Sequence, residues 1–285
     1  MKYGFIKTES AQYPITVLCD AMQVKRSGYY DWKNNRSQKV INADEFALRS
    51  EMKRLFKQSR ESLGSRRISK ALRAQGFNVG RTKARRLMQV MELVVKRKRK
   101  YKVTTDSAHN LPVAENVLNR EFNPVKPNQA WGVDITYVFT SEGWLYLAVV
   151  IDLYSRRVIG WCMDKRMKTS LVTRALMMAV NLRKPPAGLI HHSDRGSQYA
   201  SLQYQQLLRQ FGMVGSMSRK GNCWDNAPVE RFFSSLKREW ISDRLYGTRE
   251  EAIKDIREYL AMYYNAERLH STLGYMTPSD FEKVA

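Results

Sequence analysis

Cysteine is scarce in this chain of 285 residues: Cys19, Cys162 and Cys223 are odd in number, far apart and form no Cys-x-x-Cys pair. Neither a disulfide framework nor a zinc site follows from them, and a reducing compartment fits. Long apolar runs are missing too. None approaches the ~20 residues that span a bilayer, and the N-terminus lacks the apolar core of a signal peptide. The expectation is a soluble cytoplasmic protein with no membrane partner. Negative charge is the third shortage, with 27 Asp and Glu against 49 Lys and Arg, a net charge of +22. Residues 1–126 hold 28 of the basic and only 11 of the acidic side chains. A polycation concentrated at the front of the chain points to nucleic acid, whose phosphates it would neutralise.

Against that shortage three carboxylates stand out. Asp134 lies in Trp131-Gly132-Val133-Asp134-Ile135-Thr136-Tyr137, Asp194 in His191-His192-Ser193-Asp194-Arg195-Gly196-Ser197-Gln198-Tyr199, and Glu230 in Asp225-Asn226-Ala227-Pro228-Val229-Glu230-Arg231. Asp134 interrupts an apolar strand pattern, Asp194 follows a short strand, and Glu230 falls early in an amphipathic helix, so each is presented rather than buried. Three acids without Cys or His at zinc spacing suit hard, oxygen-liganded cations such as Mg²⁺ or Mn²⁺. An oxygen-ligand site inside a polycation points to metal-dependent chemistry on phosphodiesters.

The chain has room for two or three units. Residues 14–34 read as a small helix-turn-helix within an N-terminal helical segment, 1–41. Residues 43–58 place Leu48, Met52, Leu55 and Phe56 on one helical face. Helical patterns at 65–75 and 81–93 across a Gly-containing turn suggest a DNA-binding helix-turn-helix domain, 42–95, with Arg81, Lys83, Arg85 and Arg86 crowding the second helix. The run Lys96, Arg97, Lys98, Arg99, Lys100 has no buried face, and 96–127 reads as a basic linker that would track a phosphate backbone. From residue 128 the grammar is α/β. Strands at 130–140, 144–153 and 157–163 form an antiparallel meander, then strands at 188–192 and 213–217 alternate with helices at 170–182 and 202–211. Long helices at 227–241 and 249–264 follow. A five-stranded mixed sheet flanked by helices is the expected core, preceded by the all-α region.

At these residues the chain resembles OrfB-type transposases of the insertion-sequence-three family, whose catalytic core is similar to retroviral integrases and ribonuclease H. The resemblance covers nearly the whole chain. It includes the basic helices around Ile68 to Met88, Pro127-Asn128-Gln129-Ala130-Trp131, the strand from Gly143 to Asp152, the stretch Lys220 to Glu230, and the tail Tyr264-Asn265, Arg268, His270 and Leu273-Gly274-Tyr275. By position it implies that Asp134, Asp194 and Glu230 bind two Mg²⁺ or Mn²⁺ ions, Asp134 bridging. Lys237, seven residues past Glu230, matches the family's basic position, and Asn226, Glu230, Ser234 and Lys237 share one helical face. The implied reaction frees a 3′-OH at an element end by water attack and then uses that hydroxyl on a second strand. The implied partners are DNA ends and target DNA, further copies of the chain, and an upstream OrfA product or fusion, with a bacterial, nucleoid-associated location. Competing readings are a DNA-binding regulator without catalysis and a plain nuclease of the same fold.

Several neighbouring residues have blander readings. Asp152 caps the turn before Tyr154, and Asp225 caps or complements the dipole of the helix that follows it. His191 and His192 point to opposite faces of a strand, one packed and one near the site. Cys223 and Trp224 anchor a loop, while Trp144 and Tyr146 pack in the core.

Overall fold

The computed structural model describes residues 2–37, 43–95, 111–220, 222–241 and 243–284. The chain forms two compact units, Met1–Lys53 and Arg54–Ala285. In the first, α1 (Lys2–Glu9), α2 (Ile15–Ala21) and α3 (Arg26–Ser37) enclose Ile6, Leu18, Cys19 and Tyr29. The last two helices are the expected pair, while α1, whose sequence has little amphipathic pattern, was not anticipated. The unit boundary falls within α4 (Ala43–Gln58), which buries Leu48, Met52 and Phe56 at the expected i, i+4, i+8 spacing.

The second unit runs from the end of α4 into α5 (Ser65–Ala74) and α6 (Arg81–Val90). Gly76 makes the turn between them with φ of 90°, a conformation costly for any residue carrying a Cβ. Next come β1 (Ala130–Thr140), β2 (Gly143–Asp152), β3 (Val158–Asp164), α7 (Thr169–Arg183), β4 (Ile190–Ser193), α8 (Ser197–Ala200), α9 (Leu202–Gln210), β5 (Val214–Met217), α10 (Ala227–Leu236), α11 (Arg249–Glu258) and α12 (Pro278–Lys283). The sheet order is β3-β2-β1-β4-β5, with the first three strands antiparallel and β4 and β5 parallel to β1. This is the ribonuclease H-like α/β arrangement that was expected.

Strand alternation divides the core into two layers. Leu145, Leu147, Val149 and Ile151 of β2 face α10 and α11, while Ala148 and Val150 face α7. Gly160 lets α7 approach β3 so closely that a Cβ there would lie 2.3 Å from the Ala175 carbonyl oxygen. The second half of the expected linker lies on this core: Leu118 is buried beside Ala130 and Leu153, and its amide donates to Ser216 Oγ.

Both long C-terminal helices change pitch. α10 continues as a π-helical segment, Lys237–Ile241, and α11 as another, Tyr259–Tyr264, in place of uniform helices to 241 and 264. The wider turn allows Glu239, Trp240 and Ile241 to be buried consecutively, which the 100° step of an α-helix disfavours. Trp240 stacks on Tyr263 at 5.0 Å, and the Arg60 guanidinium lies 3.5 Å from the centre of the Trp240 ring. Glu239 accepts from Arg268 at 2.7 and 2.8 Å and from Arg67 of α5 at 3.1 Å. Burial acts to raise its pKa, but the guanidinium of Arg268, aided by Arg67, holds it below the ordinary value. Asp255 takes a bidentate contact from Arg60 and the hydroxyl of Tyr246. Two buried carboxylates thus fasten the segment around α5 to the C-terminal helices.

Candidate active site

β4 pairs with β1 only through Ala130, Trp131 and Gly132, so beyond Gly132 the β1 edge is open. Asp134 sits two residues past that divergence, and Asp194 directly follows the end of β4. A crevice at the carboxyl ends of strands, where neighbours part, is where α/β sheets place ligands. α10 packs across the same place: a Cβ on Gly132 would fall 2.8 Å from Val229 Cγ2, one residue before Glu230. Pro228 pre-sets the first turn of α10, and Glu230 follows within that turn.

Side chains around the opening fix its parts. Asn226 Nδ2 donates to the Val133 carbonyl at 3.1 Å, tying the start of α10 to the residue before Asp134. Asp225 is fully buried and accepts from Arg219 through its amide and guanidinium, from Arg120 at 2.7 Å and from Asn116 at 3.0 Å. The helix-cap reading of Asp225 is therefore corrected. It is an ion-pair centre joining the loop before α10 to the segment before the sheet, and the hydrogen-bonded Arg219 guanidinium holds its pKa low despite the cost of burial. Both histidines pack, rather than one: His191 meets the Tyr204 hydroxyl at 2.9 Å, and His192 lies between Ser216 and Ser218. Burial lowers their pKa values to about 3 and about 4, keeping them neutral. Asp152 accepts from the amides of Asn128 and Tyr154, the turn-capping role expected of it.

The carboxylates act on one another electrostatically. Burial first, then the charge of Asp194 and with it that of Glu230, raise the Asp134 pKa well above 3.8, against the Ile135 amide and Lys237. Desolvation and Asp194 also raise the Glu230 pKa. Desolvation lowers that of Lys237, opposed by Asp134. Asp134 Oδ1 accepts from the Ile135 amide at 2.7 Å and Asp194 Oδ1 from the Gly196 amide at 2.9 Å, while Lys237 Nζ lies 4.9 Å from the centre of the Tyr137 ring. The structure therefore brings the four side chains singled out in the sequence into one neighbourhood. Among the described residues, no three His, Cys, Asp or Glu side chains form a ready-made cation cage. Beneath them Tyr199 is buried, its hydroxyl without a hydrogen-bond partner among the described residues, and burial followed by the charge of Asp134 raises its pKa.

Arg81, Lys83, Arg85 and Arg86 are all exposed on α6, whose opposite face buries Ala84, Leu87 and Met88. The run Lys96, Arg97, Lys98, Arg99, Lys100 lies outside the described residues.

Comparison with known proteins places the chain. The integrase core domain matches residues 124–223, a second integrase core description matches 212–278, and an HTH-like domain matches 43–101. The transposase InsF for insertion sequence IS3A of Escherichia coli (strain K12) is 42% identical over 284 residues, covering 99% of this chain and 98% of that protein. The chain belongs to the IS3 transposase family. A 31 kDa insertion element IS600 protein of Shigella sonnei is 46% identical over 266 residues, 93% of this chain and 97% of that one. The simian T-cell lymphotropic virus intasome aligns at 18% identity with a TM-score of 0.48, over 75% of this chain and 70% of that one.

In this DNA transposase, residues that carry no acid or base chemistry also shape the site. Asn226, Arg219 and Arg120 were not read from the sequence as site-builders, although Asn226 already sat four residues before Glu230 on its face. Tyr199 gave no separate signal. Trp224 is 70% exposed, which corrects the loop-anchor reading for that residue. Trp144 is 45% exposed, and only Tyr146 of that pair packs against the core, because Trp144 lies at the hairpin end beyond the reach of α7. Among the described residues no helix is long and apolar enough to cross a membrane.

Proposed function

We propose that Asp134, Asp194 and Glu230 are the metal ligands of this transposase, that Lys237 engages the DNA phosphate beside them, and that the centre cleaves element ends and transfers the freed strand. The observation that carries this reading is the convergence of three acids from β1, the end of β4 and α10, with Asp194 raising the pKa values of both Asp134 and Glu230, inside a strongly basic chain. An all-oxygen donor set with an excess of negative charge fits hard divalent cations, Mg²⁺ or Mn²⁺, and a pair of them would more than offset the three carboxylates, leaving positive charge for a phosphate. When bound, such ions supply Lewis-acid activation of the attacking hydroxyl and charge stabilisation of the leaving oxygen.

The chain's own part is placement. Asp134, held by the Ile135 amide, feels the charges of both Asp194 and Glu230. Lys237 directs its ammonium toward the same crevice across the open β1 edge, where a phosphate oxygen would be its anionic partner. Water attacks the phosphorus, the 3′-oxygen leaves as the 3′-hydroxyl of the element end and the flanking strand keeps the 5′-phosphate; the same crevice then directs that hydroxyl to a second phosphodiester, whose own 3′-oxygen leaves as a hydroxyl. The exposed cations Arg81, Lys83, Arg85 and Arg86, followed by Lys96, Arg97, Lys98, Arg99 and Lys100, hold the flanking duplex. Joining two ends requires more than one copy of the chain, together with an OrfA product or fusion for end recognition.

The test is an end-joining assay with labelled element ends and Mg²⁺, run on the chain, on an OrfA fusion and on Glu230→Gln in each. Joined products that vanish in Glu230→Gln while DNA binding persists are expected. Cleavage unaffected by Glu230→Gln would overturn the assignment, and nicking without joining would mark a plain nuclease.

A further inference from the structure

We propose that Tyr137, Phe139 and Trp144, at the hairpin end of β1 and β2, form a stacking subsite for an unpaired base of the DNA strand being cut or joined. The three rings form a ladder: Tyr137 meets Trp144 edge-on at 4.9 Å, and Phe139 meets Trp144 at 5.3 Å, the latter two being cross-strand partners. Phe139 is 61% and Trp144 45% exposed, so two large rings of the ladder face outward.

Their neighbours identify the occupant. Lys237 Nζ lies over the Tyr137 ring and supplies a cation at that end of the ladder, while at the other end the Arg249 guanidinium is paired with Glu142 and donates to the Trp144 carbonyl at 3.1 Å. A strand alternating phosphates with flat bases complements exposed rings with a lysine ammonium beside them. Tyr137 and Phe139 lie three and five residues beyond Asp134, odd offsets that put their side chains on the face of β1 opposite to that of Asp134. Lys237, over the Tyr137 ring and acting electrostatically on Asp134, links the two faces round the open β1 edge, the path the strand would follow. The subsite rests on the reading of Asp134 and Lys237 as the reacting centre. Stacking tolerates any base, so it would hold the strand end in register without reading sequence.

The test uses DNA duplexes with a short single-stranded tail carrying 5-iodouracil at each tail position in turn. Irradiation followed by peptide mapping is expected to attach the base to Tyr137, Phe139 or Trp144. The double variant Phe139→Ala/Trp144→Ala is expected to bind tailed DNA roughly tenfold or more weakly, with blunt duplex binding and melting temperature unchanged. Asp134→Asn should lose cleavage yet keep the same cross-links. Cross-links found only elsewhere, or a double variant that keeps its preference for tailed DNA, would overturn the subsite. So would a double variant altered only in sedimentation, which would mark a subunit contact. If Asp134→Asn still cleaves, the assignment of the centre fails while the cross-link map is read independently.

Discussion

Replacing Gly132 with alanine tests whether the packing of α10 on β1 sets the position of Glu230. The added Cβ would lie 2.8 Å from Val229 Cγ2 and 3.0 Å from Leu153 Cδ2, whereas carbon atoms in contact prefer about 3.5–4.0 Å. The end of Leu153 can turn aside. Val229 cannot, because a β-branched side chain in a helix has one strongly preferred rotamer. The helix itself must therefore move, by about 0.7–1 Å, and Glu230 is the next residue along it. Overpacking of this kind costs about 1–3 kcal/mol of stability. The larger effect is on chemistry, since a shift of about 1 Å in a reacting group costs on the order of 10²-fold in rate. Cleavage rates on labelled ends with Mg²⁺, measured beside melting temperature, report the two effects separately. Adding Val229→Ala removes the clashing methyl and should restore most of the rate. A Gly132→Ala protein that cleaves at the normal rate, or a slow one that Val229→Ala fails to rescue, refutes the reasoning.

Other perturbations follow from the same structure. Glu239→Ala leaves Arg268 and Arg67 without their carboxylate inside the protein and should destabilise by about 3–5 kcal/mol, read as a lowered denaturation midpoint. Gly160→Ala drives a Cβ into the Ala175 carbonyl, where backbone must yield. It should destabilise by at least about 1–3 kcal/mol, and a melting temperature equal to that of the parent would contradict the close approach of α7. His191, His192 and His270 are buried neutral, with pKa values lowered by burial to about 3, about 4 and about 2. Below pH 6.5 the unfolded chain takes up protons that the native one refuses, so their contribution is full above pH 6.5 and is lost as pH falls toward those values. The loss is about 2 kcal/mol per histidine at pH 5. Urea midpoints at pH 7 and pH 5 measure it, and His270→Gln should flatten the slope by one histidine's share.

Much of this protein was legible in one dimension. The strand period of two exposed Asp134 as a charged interruption of β1, and five strands with their order of helices followed from apolar spacing and turn residues. The helical face carrying Glu230 and Lys237 was readable because α-helical geometry links residues four and seven apart. Local patterning cannot report which distant groups meet. Asp225 carries the local marks of a cap, and only folding brings Arg219, Arg120 and Asn116 to it. The pitch changes at Lys237 and Tyr259 arise from packing between the two C-terminal helices and from the Arg67, Glu239 and Arg268 cluster, in which Glu239 is 29 residues from Arg268 and 172 from Arg67. Trp144 sits in a strand pattern that reads as core, yet α7 does not extend over the hairpin end. The sequence by itself determined the element types, the three acids and the basic front of the chain, because these depend on side-chain chemistry and short-range period. The tertiary structure decided the opening of β1 beyond Gly132, the perturbation of Asp134 and Glu230 by Asp194 and the exposure of the aromatic ladder, because each depends on where one element stops covering another.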